Sequence, residues 1–176
     1  MLPATGTEPA QTVIDRSLSR AIAAGIGPII VVTGALPTAA IREASADATP
    51  RLDVEMVHNP RWADGQMSSV HVGLAAAAAR NCTRVVVGLA DQPGIDPAAW
   101  RAVADDLGPI SVATYDGRRG NPVGLDDDVW PLLADGGDEG ARTLMRVRPE
   151  LVREVPCTGS SRDIDTEEDL RRWQNS

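Results

Sequence analysis

The stretch Arg84-Val-Val-Val-Gly-Leu-Ala-Asp-Gln-Pro93 decides how the rest of the chain is read. Val85, Val86 and Val87 are β-branched, and Leu89 and Ala90 continue the apolar run. Such a run suits a strand buried on both faces of a parallel sheet. It stops at Asp91, and Pro93 cannot continue a central strand. In open α/β sheets ligands bind just beyond the carboxyl ends of the strands. A carboxylate at that point suits a hard cation such as Mg²⁺ held beside a phosphate. A turn or helix-cap role for Asp91 is the plain alternative.

Working outward, strand-like and helix-like segments alternate. Residues 12–25 place Val13, Ile14, Leu18, Ala21 and Ile22 at helical spacing, with Gly25 as the stop. Ile29 to Thr33 reads as a buried strand, Pro37 to Ala46 as a helix, and Val54 to His58 as a strand. Gly65 to Arg80 reads as a loop running into a helix, with Met67, Val70, Leu74 and Ala77 on one face. Asp96 and Pro97 give an N-cap and a first-turn proline for a helix to about Leu107. Strands are expected at Ile110–Thr114, Asn121–Leu125 and Leu151–Val155, the first two separated by a turn at Asp116-Gly117. Helices are expected near Val129–Leu133, Glu139–Val147 and Thr166–Trp173, the last with Thr166 and Asp169 in a capping-box pattern. Alternation of this kind predicts one α/β domain over residues 1–176, with a mainly parallel sheet and helices on both faces.

Composition narrows the function. The chain has 176 residues and a net charge of −8. It carries no basic tract, which argues against a nucleic-acid partner. There is no Phe, so the core must be aliphatic, and all the basic residues are Arg. Cys82 and Cys157 are isolated and lack metal-site spacing, and a reducing, cytoplasmic setting is expected. No window is long and apolar enough for a membrane span, and the start has no signal-peptide pattern.

Several polar clusters carry chemistry. Asp163-Ile-Asp165-Thr166 precedes the last helix, so Asp163 and Asp165 either share a cation with Asp91 or complement the helix dipole. The loop from His58 and Asn59 to Ser69 enters a helix N-terminus. There Gly65 permits close backbone approach, and Ser68 and Ser69 add hydroxyls where free N–H groups favour anions. Ordinary serine capping is the alternative. Arg118 and Arg119 sit in a glycine-bounded loop, either to fork a phosphate or as a solvated hairpin tip. Arg142 lies one turn into a helix opened by acidic residues, and His71 reads as a surface residue.

Taken in order, Asn59-Pro-x-Trp-x-x-Gly-x-x-Ser-Ser69, Leu89-Ala-Asp-Gln-Pro93, Gly117-x-x-Gly-Asn-Pro122, Gly137-Asp-x-Gly-Ala-Arg142 and Asp163-Ile-Asp-Thr166 resemble the molybdenum-cofactor nucleotidyltransferases. These are MobA-like NTP transferases, and the Ala-Asp-Gln-Pro form is closer to their MocA-like cytidylyltransferase branch. The resemblance implies a Rossmann-like three-layer α/β/α sandwich of GT-A-like type. It implies transfer of CMP or GMP from CTP or GTP to molybdopterin, with release of pyrophosphate and Mg²⁺ as cofactor. By that resemblance Asp91 is a metal ligand assisted by Asp163 or Asp165, and Asp91 and Asp165 carry the catalysis. Asn59, Gly65, Ser68 and Ser69 border the nucleotide together with Asp91. Gln92, Pro93, Asn121 and Arg142 line the acceptor side. A molybdoenzyme or a chaperone is the implied protein partner.

Two departures accompany the resemblance. The family opens with a buried strand and a phosphate-binding loop of the form Leu-x-x-Gly-x-x-x-Arg-x-Gly-x-x-Lys, which grips the triphosphate. Met1-Leu-Pro-x-x-Gly-x-x-Pro9 resembles the segment that follows it, so the first strand and loop are expected to be missing. Loss of a central strand should leave unpaired neighbouring edges. Asn121 also stands where the family often has His, and Asn cannot shuttle protons near neutral pH. The rival expectations are a non-catalytic binding or regulatory homologue of the same fold, and a nucleotidyltransferase for another phosphorylated acceptor such as a sugar phosphate.

Overall fold

The computed structural model describes residues 12–36, 38, 54–135, 141–164, 166, 168–169 and 171. The helix expected from Pro37 to Ala46 (Thr38 apart), the start of the chain, residues 136–140 and Asp165 lie outside them.

Helix α1 (Val13–Ala24) opens on a reciprocal capping box. The Thr12 hydroxyl accepts from Asp15 N at 3.2 Å, and the Asp15 carboxylate accepts from Thr12 N at 3.1 Å. Two N–H groups that a helix start leaves over are thereby satisfied. The helix stops at Gly25, whose φ of +66° is the left-handed turn that glycine adopts without strain. Strand β1 (Ile29–Thr33) follows and pairs in parallel with β2 (Val54–His58). Then come α2 (Gln66–Ala79), β3 (Arg84–Val87), α3 (Pro97–Asp105), β4 (Ile110–Tyr115), β5 (Arg118–Asp126), a 3₁₀ segment (Asp127–Leu132), α4 (Arg142–Val147) and β6 (Val152–Pro156). Asp96 caps α3 by accepting from Ala98 N at 2.8 Å.

The expected α/β class is present, but the strand pairing is mixed. Among the described residues β1 and β2 form one sheet, and a second has the order β3-β5-β4-β6. β4 and β6 are parallel, whereas β5 runs antiparallel to both β3 and β4. The cause is local. Asp116 and Gly117 both have positive φ, 50° and 75°, which makes a two-residue turn whose twist matches a hairpin. The chain therefore folds straight back, and Arg118 and Arg119 open β5 rather than lying in a loop. Arg119 makes an exposed ion pair with Glu154 at 2.8 Å, a contact of little energetic weight.

Strand β3 also departs from expectation. It ends at Val87 instead of Asp91, and its valines are half-buried. A side chain at Gly88 would come within 2.3 Å of the Trp100 ring, so the backbone there passes tight under α3. It then turns away from the sheet.

Alternation along β5 identifies the layers. Val123 and Leu125 join Met67 and Leu74 of α2 in the main core, with Ile110, Val112, Leu144 and Met145. Gly124, on the opposite face, lies against Val103 of α3. The sheet is thus covered by α2 on one side and by α3 on the other. α1 packs on α3, and Arg101 donates to the carbonyl of Ala23 at the end of α1, at 3.2 Å. Among the described residues no helix is long and apolar enough to cross a membrane.

At the end of the sheet away from Asp91, Arg84 ties three elements together. It donates to Asp126, to the carbonyls of Gly108 and Val103, and to Ser111 Oγ. Ser111 Oγ in turn donates to Asp106 at 2.6 Å. Burial works against the Asp106 charge, but the bonds from Ser111 and Gly108 N–H, and nearby Arg153, outweigh it and hold the carboxyl below its ordinary value of 3.8. A carboxyl lowered in the folded state adds stability above its unfolded value and loses it as pH falls through the folded one. Asp106→Asn is therefore expected to lower the thermal midpoint at neutral pH, and its deficit should shrink below pH 3.8. Melting curves across that range check it; a constant deficit would show that the charge of Asp106 contributes nothing.

Candidate functional site

The carboxyl ends of β1, β2 and β3 meet the N-terminus of α2, and the polar residues gather there. Asn59 N donates to Thr33 O at 2.7 Å, tying the end of β2 to the end of β1. The Asn59 side chain is buried, at 1% exposure. Its amide donates to Ser68 Oγ at 2.8 Å and Ser69 Oγ at 3.0 Å, and its Oδ1 accepts from Arg61 N at 2.9 Å. Ser68 Oγ bonds further to the carbonyls of Arg61 and Gly65. Gly65 has φ +104°, which a side chain would strain. Asn59, Gly65 and Ser68 thus set the shape of the loop from inside, while half-buried Ser69 stands nearer its surface. Gly34 seats this loop on β1, since a Cβ there would lie 2.6 Å from Trp62 Cβ.

Removing the clamp should be costly. Asn59→Ala removes all three bonds that its side chain makes inside the loop, at about 2 kcal/mol. That predicts a thermal midpoint lower by roughly 4–8 °C. An unchanged midpoint would show that the loop is held by something else.

Asp91 lies on the turn after β3, and its backbone is pinned from two directions. The Ser17 hydroxyl of α1 donates to Ala90 O at 2.8 Å, and Ile164 N donates to Asp91 O at 2.9 Å. The second bond brings the Asp163 segment, distant in sequence, beside Asp91. Gln92 is 6% exposed and completes the junction. Its Nε2 donates to Asp163 Oδ1 at 2.6 Å and to Ser161 O at 3.0 Å. Its Oε1 accepts from Asn121 Nδ2 at 2.9 Å. Tyr115 ends the chain of contacts by donating to Asn121 O at 2.8 Å. Burial, with the neighbouring Cys157 and Asp96, pushes the Tyr115 phenol well above its ordinary range. It therefore stays protonated and remains a donor.

The structure thus brings Asp91, Gln92, Asn121 and Asp163 together, with buried Pro93 beneath them. Arg142 stands exposed at the first position of α4 and is not drawn into this network. Asp165 lies outside the described residues. His71 is half-buried, with Nε2 2.8 Å from Ala134 O. Among the described residues no three His, Cys, Asp or Glu side chains gather as a complete metal cage. A magnesium-like ion needs no such cage, because it takes one or two carboxylates and completes its shell with substrate phosphates and water. Sequence reasoning missed Ser17, Tyr115 and Ser161 as supports of this site. Tyr115 is the single tyrosine of the chain, and a phenol at a strand end was the available signal.

Against this geometry, comparisons with known proteins are consistent with one another. The model of the MobA-like NTP transferase domain matches residues 6–155. Nicotine blue oxidoreductase from Paenarthrobacter nicotinovorans is 30% identical over 175 residues, covering 92% of this chain and 82% of that protein. Rv0371c from Mycobacterium tuberculosis H37Rv, crystallised in complex with manganese, is 31% identical with a TM-score of 0.76, over 94% of this chain and 86% of that one. A nucleotidyl transferase from Methanothermobacter thermautotroptrophicus shares the fold at 22% identity and a TM-score of 0.73, over 93% of this chain and 79% of that one.

Proposed function

The chain belongs to the MobA-like NTP transferase domain family, and on that premise we propose that it is a divalent-metal-dependent nucleotidyltransferase moving CMP or GMP from CTP or GTP to the phosphate of a molybdopterin-type acceptor. The observation that carries the reading is the junction of Asp91 with Asp163, made by the Ile164 N to Asp91 O bond and the Gln92 to Asp163 bond. In the reaction an acceptor phosphate oxygen bonds to the α-phosphorus, the bond to the β-phosphate oxygen breaks, and pyrophosphate leaves. Asp91 and Asp163 would hold Mg²⁺ or Mn²⁺, which offsets negative charge on the phosphates. The protein's share is chiefly positioning. The 59–69 loop and the N-terminal end of α2 suit an anionic nucleotide. Asn121 and Gln92 form the opposite wall, toward the acceptor. Asn121 hydrogen-bonds but does not shuttle a proton, and a phosphate nucleophile is already ionised near neutral pH.

Pyrophosphate release tests the reading. It is expected only with CTP or GTP, a divalent cation and molybdopterin together. No release under those conditions would overturn it and favour a non-catalytic homologue. Release with a sugar phosphate instead of molybdopterin would move the acceptor class. A second reading rests on the 30% identity to nicotine blue oxidoreductase: oxidation or reduction of that compound. A change in the nicotine blue absorbance with an added redox partner, but no pyrophosphate, would support it.

A further inference from the structure

Trp62 is large, apolar and open to solvent. It begins a short 3₁₀ turn (Trp62–Asp64) between the end of β2 and the start of α2. Among the described residues it is the one exposed aromatic side chain. It is 48% exposed, whereas Trp100, Tyr115 and Trp130 are half-buried. An indole gains most when its broad apolar faces leave water. Leu36, just beyond the end of β1, is exposed as well. Two large apolar side chains therefore stand open past the carboxyl ends of β1 and β2, on the rim that carries Asn59 and Ser69.

The ring is held, not loose. A Cβ at Gly34 would lie 2.6 Å from Trp62 Cβ, 2.9 Å from Cγ and 3.6 Å from Cδ1. Those are the nearest atoms, so the pyrrole side of the indole faces β1 and the six-membered ring stands farther out. The backbone is fixed on both sides of the residue. Arg61 N donates to Asn59 Oδ1 at 2.9 Å, and Arg61 O accepts from Ser68 Oγ at 2.9 Å. Trp62 O accepts from Gly65 N at 3.3 Å. A flat face positioned in advance has little freedom left to lose when another flat ring is laid on it.

We infer that Trp62 is the platform on which the base of the nucleotide stacks, and that it supplies affinity for the ring without selecting the base. The inference rests on the nucleotidyltransferase reading and adds to it the residue that meets the base. Position argues for the base rather than the acceptor. Trp62 lies in the 59–69 loop, which leads into the N-terminal end of α2, where phosphates are favoured. Base and phosphates belong to one molecule, so an aromatic face beside that end is within reach of the base. Gln92 and Asn121, on the acceptor side, come instead from the turn after β3 and from β5. Stacking needs no directed hydrogen bond, and every base has a π-face. Choice between CTP and GTP then falls to other groups.

Calorimetric binding of GTP, CTP and inorganic tripolyphosphate to the whole chain with Mn²⁺ tests it, because tripolyphosphate carries the charge without the ring. Trp62→Ala is expected to weaken GTP and CTP by about tenfold each, the order of one base–aromatic stack, and to leave tripolyphosphate unchanged. Trp62→Phe should recover most of the loss. Gly34→Ala keeps the indole but fills its seat, and should weaken both nucleotides while sparing tripolyphosphate. An equal loss for tripolyphosphate would overturn the inference, because Trp62 would then only shape the loop. Unchanged nucleotide affinity in a folded Trp62→Ala protein, or no recovery with phenylalanine, would overturn it too, and each leaves the nucleotidyltransferase reading standing. Failure of the unaltered chain to bind either nucleotide would overturn both. If Trp62→Ala does not fold, Gly34→Ala decides by the same contrast. If tripolyphosphate binds the unaltered chain too weakly to measure, recovery with phenylalanine decides.

Discussion

Asp91→Asn is expected to leave the fold intact while weakening Mn²⁺ binding by at least about 100-fold, with a comparable loss of nucleotide turnover. The change is nearly isosteric. The backbone that presents Asp91 is held through Ala90 O by Ser17 and through Asp91 O by Ile164 N, bonds that the substitution does not touch. What it removes is a full negative charge. Even two unit charges about 4 Å apart attract by about 4 kcal/mol at an effective dielectric of 20, and a dication doubles the charge on one side. Supporting groups around metal ligands alone account for about 10–100-fold in affinity, so a hundredfold loss is a conservative expectation for a ligand. Asp163 is more exposed, and Asp163→Asn should cost less, about tenfold. Titration of Mn²⁺ by electron paramagnetic resonance, beside a melting curve, separates binding from folding. Unchanged affinity in a folded Asp91→Asn protein would remove Asp91 from the metal site.

Much of this was legible in the chain because the relevant signals are local. Thr12, Gly25, Asp96 and Pro97 mark helix ends by hydrogen bonding and backbone preference, and α1 and α3 begin and stop beside them. The β1 and β2 bounds follow from short apolar runs between turn residues. The reading failed where tertiary contact decides. Nothing in Val-Val-Val-Gly-Leu-Ala shows that Trp100, from the next helix, will press on Gly88 and end β3 at Val87. Pairing direction also escaped the alternation argument, because positive φ at Asp116 and Gly117 turns β5 back at once. At the site, motif order put Asp91, Gln92, Asn121 and Asp163 on one list, yet a list holds no hydrogen bonds. That Gln92 binds Asp163 and Asn121 at the same time is a fact of the fold.

Gln92 offers the sharpest check on that junction, because its two ends do opposite work. Its amide nitrogen gives protons to Asp163 and Ser161, and its oxygen takes one from Asn121. Gln92→Leu keeps most of the volume and removes all three bonds, leaving buried polar groups without partners. The expected loss is about 2–4 kcal/mol, with Asp163 released and Mn²⁺ affinity lowered. Gln92→Glu keeps the bond from Asn121 but turns the donor facing Asp163 into a carboxylate at hydrogen-bonding range. Two such groups cannot both stay ionised cheaply, so the pair must share a proton or separate. A carboxyl whose folded pKa is raised in this way stabilises the fold below its unfolded pKa, and that stability is lost as pH rises through the folded value. Gln92→Glu should therefore melt at a higher temperature near pH 4 than near pH 8, relative to the parent at each pH. Each pKa unit of upward shift corresponds to about 1.4 kcal/mol, so a two-unit shift moves the melt by roughly 6–10 °C. Gln92→Leu adds no titrating group and should show a smaller slope. The contrast isolates charge from packing: a slope in Gln92→Glu no larger than in Gln92→Leu would mean that residue 92 does not face the Asp163 carboxylate in solution.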